Sequence, residues 1–334
     1  MGRSFLSYCR YLLIPFSVIY FFIIAIRNIF YRACIFREHR LNVKVISVGN
    51  ITWGGTGKTP LVLYMLQAML KRGLKVALLT RDYGNDEEKL LSRSASGVPV
   101  LAGKDRVKTG REAVTKYSVD TILLDDGFQY MSLKRDLDVV CIDATNPFGN
   151  GWVIPAGSMR ESISGLKRGD VFLITKVDLV EDQKSLFELE VKLKKINPNA
   201  LLVKSIHRAR HFYRLLDEVI VDPEQLKGKN IALLSGIGNP SSFEKTILKL
   251  GLNVKKHFMF RDHYWYKEKD LEKIAGYCKQ NEIDAIITTE KDAVRLRGSK
   301  DVIGVAELIV LGIELRIVEN EQAFFNRLFG IYNT

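Results

Sequence analysis

The segment NITWGGTGKTP, residues 50–60, holds the residue types and spacing that point most directly to chemistry. Gly54, Gly55 and Gly57 let successive backbone N–H groups curl around a β-phosphate; the Lys58 ammonium reaches the β- and γ-phosphates; the Thr59 hydroxyl ligates Mg²⁺. Thr52, Trp53 and Thr56 complete the loop, with Thr52 standing where the pattern G-x-x-x-x-G-K-[ST] has its first glycine. A second element, TILLDDGF at residues 121–128, is an apolar run closed by two acids. Adjacent carboxylates on an extended strand point to opposite faces. Thus one of Asp125 and Asp126 can address a metal while the other orients or caps.

These residues need elements to hold them. KVISVG (44–49) is a short β-branched run and LVLYMLQAMLK (61–71) places apolar residues at helical spacing, so the glycine loop sits between a strand and a helix. That context argues against a glycine-rich turn formed by chance. KVALLT, TILLDD, DVVCID and DVFLITK alternate with helical patterns as in an α/β doubly wound parallel sheet, and Asp125 and Asp126 then fall at the carboxyl end of a strand, where such sheets bind ligands. From IALLSGI (231–237) a second alternation begins, through VKKHFMF, KEKDLEKIAGYCKQ, AIITTEK and LIVLGIEL. The expected organisation is an N-terminal hydrophobic membrane helix in residues 1–40, a P-loop NTPase domain in 41–215 and a smaller α/β domain in 216–334 that closes over the active site.

The N-terminal segment is the most apolar part of the 334-residue chain. YLLIPFSVIYFFIIAI, residues 11–26, is uncharged and would extend about 24 Å as a helix. That is short of the ~20 residues a spanning helix wants, so a monotopic or re-entrant anchor is expected. A buried core helix and a signal peptide are the alternatives, although no A-x-A-like cleavage site follows. Arg3, Arg10, Arg27, Arg32, Arg37 and Arg40 flank the segment against Glu38 alone, so much of the formal charge of +12 lies beside it, which favours a membrane surface. No interleaved basic and aromatic motif points to nucleic acid, and no obligate protein partner is evident. Cys9, Cys34, Cys141 and Cys278 are scattered without metal spacing, which fits a reducing compartment.

GNITWGGTGKTP, LDDGFQY, FGNGWVIPAGSMRE, DHYWY and TTEKDAV, in that order, resemble the tetraacyldisaccharide 4'-kinase family. The resemblance implies transfer of the ATP γ-phosphoryl, with Mg²⁺, to the 4'-hydroxyl of a tetraacyldisaccharide 1-phosphate. The lipid disaccharide would be met at the cytoplasmic face of a bacterial inner membrane. It gives Lys58 and Thr59 their phosphate and metal roles and places Asp125 and Asp126 at the nucleotide. It also adds Arg160 to offset phosphoryl charge, Glu161 as a further Mg²⁺ ligand, Asp86 as general base and His263 as its partner. The family's Arg-Gly-Tyr-Gly is RDYG here, with Asp82 replacing glycine, and Tyr130 stands where the family has histidine. A membrane-tethered GTPase switch is the rival reading, because ITKVD (174–178) resembles a guanine-reading [NT]KxD element.

Overall fold

The computed structural model describes residues 2–81, 86–95, 97–296, 304 and 306–333. Two compact units emerge, one of Met1–Asp82, Ala95–Ile206 and Ile317–Thr334, the other of Tyr83–Ser94 and His207–Arg316. Both are discontinuous in sequence, whereas strand and helix patterns had drawn contiguous limits at 41–215 and 216–334.

The first unit opens with helix α1 (Gly2–Arg32) and then builds β1 (Lys44–Gly49), α2 (Lys58–Lys71) and β2 (Val76–Thr80). After α3 (Asp86–Ser94), which belongs to the second unit, come β3 (Val100–Ala102), α4 (Arg106–Tyr117), β4 (Thr121–Asp125), β5 (Leu137–Asp143), β6 (Val171–Thr175) and α5 (Gln183–Ile196). β7 (Leu201–Arg214) leads out to the second unit. The strand order here is β7-β6-β5-β1-β4-β2-β3, with every paired register parallel. β2, β4, β5 and β6 are buried along their whole length, as expected where helices cover both faces of a parallel sheet. On one face Ala77, Leu79, Ile122 and Leu124 pack with Val107 and Ala113 of α4; elsewhere Val140, Ile142, Phe172 and Ile174 pack with Leu186, Leu189 and Leu193 of α5. The chain leaves β4 on one side of β1 and re-enters as β5 on the other, so the loop after β1 lies at the topological switch point, where open α/β sheets bind ligands.

The second unit continues with β8 (Ile220–Val221), β9 (Asn230–Ser235), α6 (Pro240–Lys249), β10 (Asn253–Met259), α7 (Glu268–Gln280), β11 (Ala285–Thr289), α8 (Glu290–Leu296) and β12 (Glu307–Glu319). Its strand order is β10-β9-β11-β12-β7, and β8 pairs antiparallel with β7. Alternate residues serve opposite faces: Ile231, Leu233, Ala285 and Ile287 meet Phe243 and Ile247 of α6, while Ala232, Leu234 and Ile286 meet Leu271 and Ile274 of α7 and Ala293 and Leu296 of α8. β12 then returns the chain to the first unit, which ends in α9 (Glu321–Gly330).

Helix α1 does not stop at Ile26. Tyr11–Arg32 forms a 22-residue stretch whose most apolar 18-residue window has a mean hydropathy of 2.1, long and apolar enough by length and composition to cross a membrane. Only 6% of its apolar window is buried, which removes the core-helix alternative. Ile14, Ser17, Tyr20, Ile24 and Arg27 recur at helical spacing on the side that is buried or half-buried, and the large apolar residues Leu12, Phe16, Ile19, Phe22, Ile23 and Ile26 are exposed.

Candidate active site

The loop after β1 is built from backbone geometry that few residues permit. Gly54 and Gly57 have φ of 118° and 93°, in the left-handed region that favours glycine, and Gly57 caps α2, whose first residues are Lys58 and Thr59. Asn50 Nδ2 donates to Thr56 Oγ1 at 2.7 Å, and Thr175 Oγ1 donates to the Thr56 carbonyl at 2.9 Å. Thr52 replaces glycine without strain because it is extended and paired: it forms an antiparallel bridge with Met159, while Trp53 N–H donates to Ser158 O and Arg160 N–H to Ile51 O. That pairing draws Arg160 beside the loop.

Asp125 ends β4, in register with Val48 near the end of β1. Asp126 follows with φ 56°, and its two oxygens each accept from Arg160 Nη1 at 2.6 Å, with Lys58 Nζ 3.5 Å from Oδ1. Burial alone would raise the Asp126 carboxyl, but Lys58, Arg160 and Arg106 outweigh it and hold the pKa well below the usual carboxylate range. Lys58, Asp126 and Arg160 are therefore brought together as charged groups. Behind them, burial pushes the Cys141 thiol up to about 12, with Lys58 opposing and Asp125 reinforcing the shift. It stays a neutral packing residue.

Glu161, expected from the family resemblance to help hold Mg²⁺, lies next to Arg160 in the chain. Its side chain is fully buried, both oxygens accept from Arg168 Nη2 at 2.8 Å, and Oε1 also accepts from Gln129 Nε2, which in turn donates to Asn50 O. Among the described residues no three His, Cys, Asp or Glu side chains gather as a metal cluster. The remaining oxygen donors, Thr59 and Asp125, nevertheless fit magnesium, which keeps waters and is commonly held by one or two carboxylates together with substrate phosphates.

Two cations beside the site have roles that the sequence does not show. Arg106, the first residue of α4, is buried and donates from Nη2 to Asp125 O at 3.3 Å, with its Nη1 buried and unpartnered. Asp105, just before it, is the cap of α4 and accepts from Val107 N and Lys108 N. The reach of Arg106 to Asp125 is a tertiary contact that no local spacing shows. Lys176, read as part of a base-recognition element, is buried with φ 58° and donates to Gly55 O at 2.7 Å and to Asp143 Oδ2 at 2.5 Å. It ties β5 and β6 to the glycine loop.

In the second unit His263 is exposed, has φ 58°, and donates its N–H to Gly236 O at 3.1 Å, with Asp262 Oδ1 3.9 Å from its Nε2. Asp86 is the first residue of α3 and belongs to the same unit, although most of its expected loop, including Asp82, lies outside the described residues. α3 packs on α8.

A parallel sheet with a glycine loop at its switch point, a lysine and threonine opening the next helix, and paired acids on the neighbouring strand define a P-loop NTPase-like protein. Residues 9–331 match the family described as tetraacyldisaccharide-1-P 4'-kinase (LpxK), and the chain belongs to that family. The tetraacyldisaccharide 4'-kinase of Halothermothrix orenii is 34% identical over 337 residues, covering 90% of this chain and 87% of its own length. That of Syntrophus aciditrophicus is 34% identical over 315 residues, covering 85% and 84%. The crystal structure of the "apo" form of LpxK from Aquifex aeolicus in complex with ATP has a TM-score of 0.70 at 26% identity and covers 97% of this chain and 99% of that one. A GTPase switch is not favoured.

Proposed function

We propose that this protein transfers the γ-phosphoryl of ATP to the 4'-hydroxyl of a tetraacyldisaccharide 1-phosphate, at the cytoplasmic face of a bacterial inner membrane. The observation that carries the reading is the convergence of Lys58 and Arg160 on Asp126 beside the glycine loop, in a chain that belongs to this kinase family. The backbone of residues 52–57 cradles the phosphates. Lys58 holds the β- and γ-phosphates, and Arg160 offsets charge on the transferred group; cations of this kind stabilise the loose phosphoryl transition state. Thr59 and Asp125 would hold Mg²⁺, which when bound neutralises phosphate charge. Glu161, clasped by Arg168 and Gln129, supports the segment that carries Arg160.

In the transfer step a P–O bond forms to the sugar oxygen, the β,γ-bridging P–O bond breaks to release ADP, and the hydroxyl proton passes to a base. Asp86 is that base in this reading, with His263 orienting it. If the two act as a unit, Asp86→Ala/His263→Ala has a kcat little below that of the worse single variant, whereas independent residues give multiplied losses.

The membrane assignment is supported by the inside-out pattern of α1. Its polar Ser17 and Tyr20 face the protein, where Ser17 Oγ donates to Val153 O and accepts from Ala156 N, and Tyr20 OH donates to Arg160 O at 2.9 Å. The large apolar side chains face outward. A water-facing helix shows the reverse pattern.

Incubation with γ-labelled ATP, Mg²⁺ and a lipid A disaccharide 1-phosphate in detergent, followed by product separation, tests the activity. Label in the lipid supports it; label released only as inorganic phosphate, or transfer to water with GTP alone, overturns it.

A further inference from the structure

TTEKDAV lies at the end of β11 and in α8, and no step of the proposed chemistry uses it. Its Asp292 and Arg295 form an ion pair at 2.9 Å with both side chains wholly buried. Such a pair is costly to desolvate, so the bonds around it show what it holds. Asp292 Oδ1 also accepts from Gly236 N–H at 3.0 Å and Tyr266 OH at 2.7 Å, and Oδ2 accepts from Thr289 Oγ1 at 2.7 Å. Arg295 donates to Gly236 O at 3.1 Å and to Tyr264 O at 3.2 Å. Gly236 O is the acceptor that also receives the His263 N–H.

The pair therefore grips the chain just after His263, through Tyr264 and Tyr266, and also Gly236, to whose carbonyl the His263 N–H is bonded. A Cβ on residue 236 would meet Arg261 O, Asp292 Oδ1 and Tyr266 OH, each at 3.2 Å, so a side chain there would press on all three. The grip matters because His263 has φ 58°, a conformation that a non-glycine residue adopts at a cost and keeps only when its surroundings over-determine it. α3, which starts at Asp86, packs on the same short helix.

We propose that Asp292 and Arg295 are positioning residues for phosphoryl transfer: they hold the Arg261–Tyr266 turn so that His263 keeps its left-handed backbone and its orientation. The proposal rests on the reading of His263 as part of the acceptor-activating pair. It assigns the TTEKDAV segment to catalysis through His263 and to no contact with nucleotide.

The test measures kcat and both KM values for Asp292→Asn, Tyr266→Phe and His263→Ala, and for each of the first two combined with His263→Ala. Misplacement of a reacting group by about 1 Å costs roughly 10²-fold. Asp292→Asn is expected to lower kcat by about that factor and Tyr266→Phe, which removes one hydroxyl from the same oxygen, by roughly 10-fold. KM for ATP stays unchanged, and neither substitution lowers kcat further once His263 is alanine. Tyr266→Phe carries the test if Asp292→Asn does not fold. Multiplied losses in the doubles, or wild-type kcat in both folded single variants, overturn the positioning role while leaving His263 in place. Wild-type kcat for His263→Ala overturns the role of His263 and the positioning proposal with it.

Discussion

Replacing Lys176 by methionine keeps the aliphatic stem and removes one ammonium from a site where both partners are almost entirely enclosed, the side chains of Lys176 and Asp143 being 4% and 5% exposed. Breaking such a pair from one side costs about 3–5 kcal/mol because the other charge stays buried. Thr145 still donates its N–H and hydroxyl to Asp143 Oδ1, which puts the expectation at the lower end, about 3 kcal/mol. Lys176→Met/Asp143→Asn removes both charges and should recover roughly half of that loss. Nucleotide binding suffers separately. Gly55 O loses its donor, the loop is less well held, and ATP affinity falls by about 1 kcal/mol, or roughly 5-fold. Urea unfolding in a Trp265→Phe background makes the fluorescence of Trp53 and Trp152, both in the first unit, the reporter of that unit, and Trp53 in the glycine loop also reports ATP binding. A loss under about 1 kcal/mol together with an unchanged ATP Kd would refute the argument that Lys176 braces the loop.

Lys58→Ala should fold normally and lose kcat by roughly 10²- to 10³-fold or more; near-normal turnover in a steady-state assay removes Lys58 from the phosphate site. Deleting residues 1–31 should shift the protein from the membrane to the soluble fraction and weaken activity on lipid in membranes more than ATP binding; unchanged sedimentation with membranes locates the anchor elsewhere. Asp170 offers a pH test: burial raises its carboxyl above the ordinary 3.8, outweighing the Asp138 N–H bond and the nearby arginines. A raised folded pKa means that the native state prefers the protonated form, so the charged carboxylate lowers stability at neutral pH and this penalty disappears as pH falls below its ordinary value. Asp170→Asn, which keeps an acceptor for Asp138 N–H, should therefore raise Tm near neutral pH, with the gain vanishing below pH of about 4; an equal gain at both pH values would show that charge is not the cause.

The glycine loop and the paired acids were legible because their function is written in adjacent residues: backbone curvature needs glycine, and the strand before and helix after carry their own periodicities. Even Thr52, which breaks the motif, is explained only by a partner a hundred residues on, Met159, that no local pattern reveals. The same holds for Glu161. Its expected metal role came with the family resemblance, and its burial against Arg168 and Gln129 is a tertiary fact that no local pattern carries. The unit boundaries escaped for a related reason. Residues 86–94 join the second unit through α3 on α8, and β12 is one uninterrupted strand that begins in one unit and ends in the other, so nothing in composition marks the crossing.

Helix α1 joins the two halves of the proposed function, membrane and chemistry, through a pattern that hydropathy averages away. A 22-residue apolar stretch says only that lipid is a tolerable solvent for most of its surface. Within it, Ser17, Tyr20 and Arg27 recur on one side, and a polar group facing lipid would be expensive unless bonded. Their partners are in the protein: Val153 O and Ala156 N for Ser17, and Arg160 O for Tyr20. Arg27 is half-buried and donates from Nε and Nη2 to Asn28 Oδ1. The Ser17 and Tyr20 contacts converge on the segment that supplies Arg160 to Asp126. A helix that served only as a tether would need no polar stripe, since any apolar sequence of this length suffices. The stripe ties the seating of the helix to the shape of the Arg160 segment, so in the proposed function the surface that meets lipid would also set the cation beside the phosphoryl group.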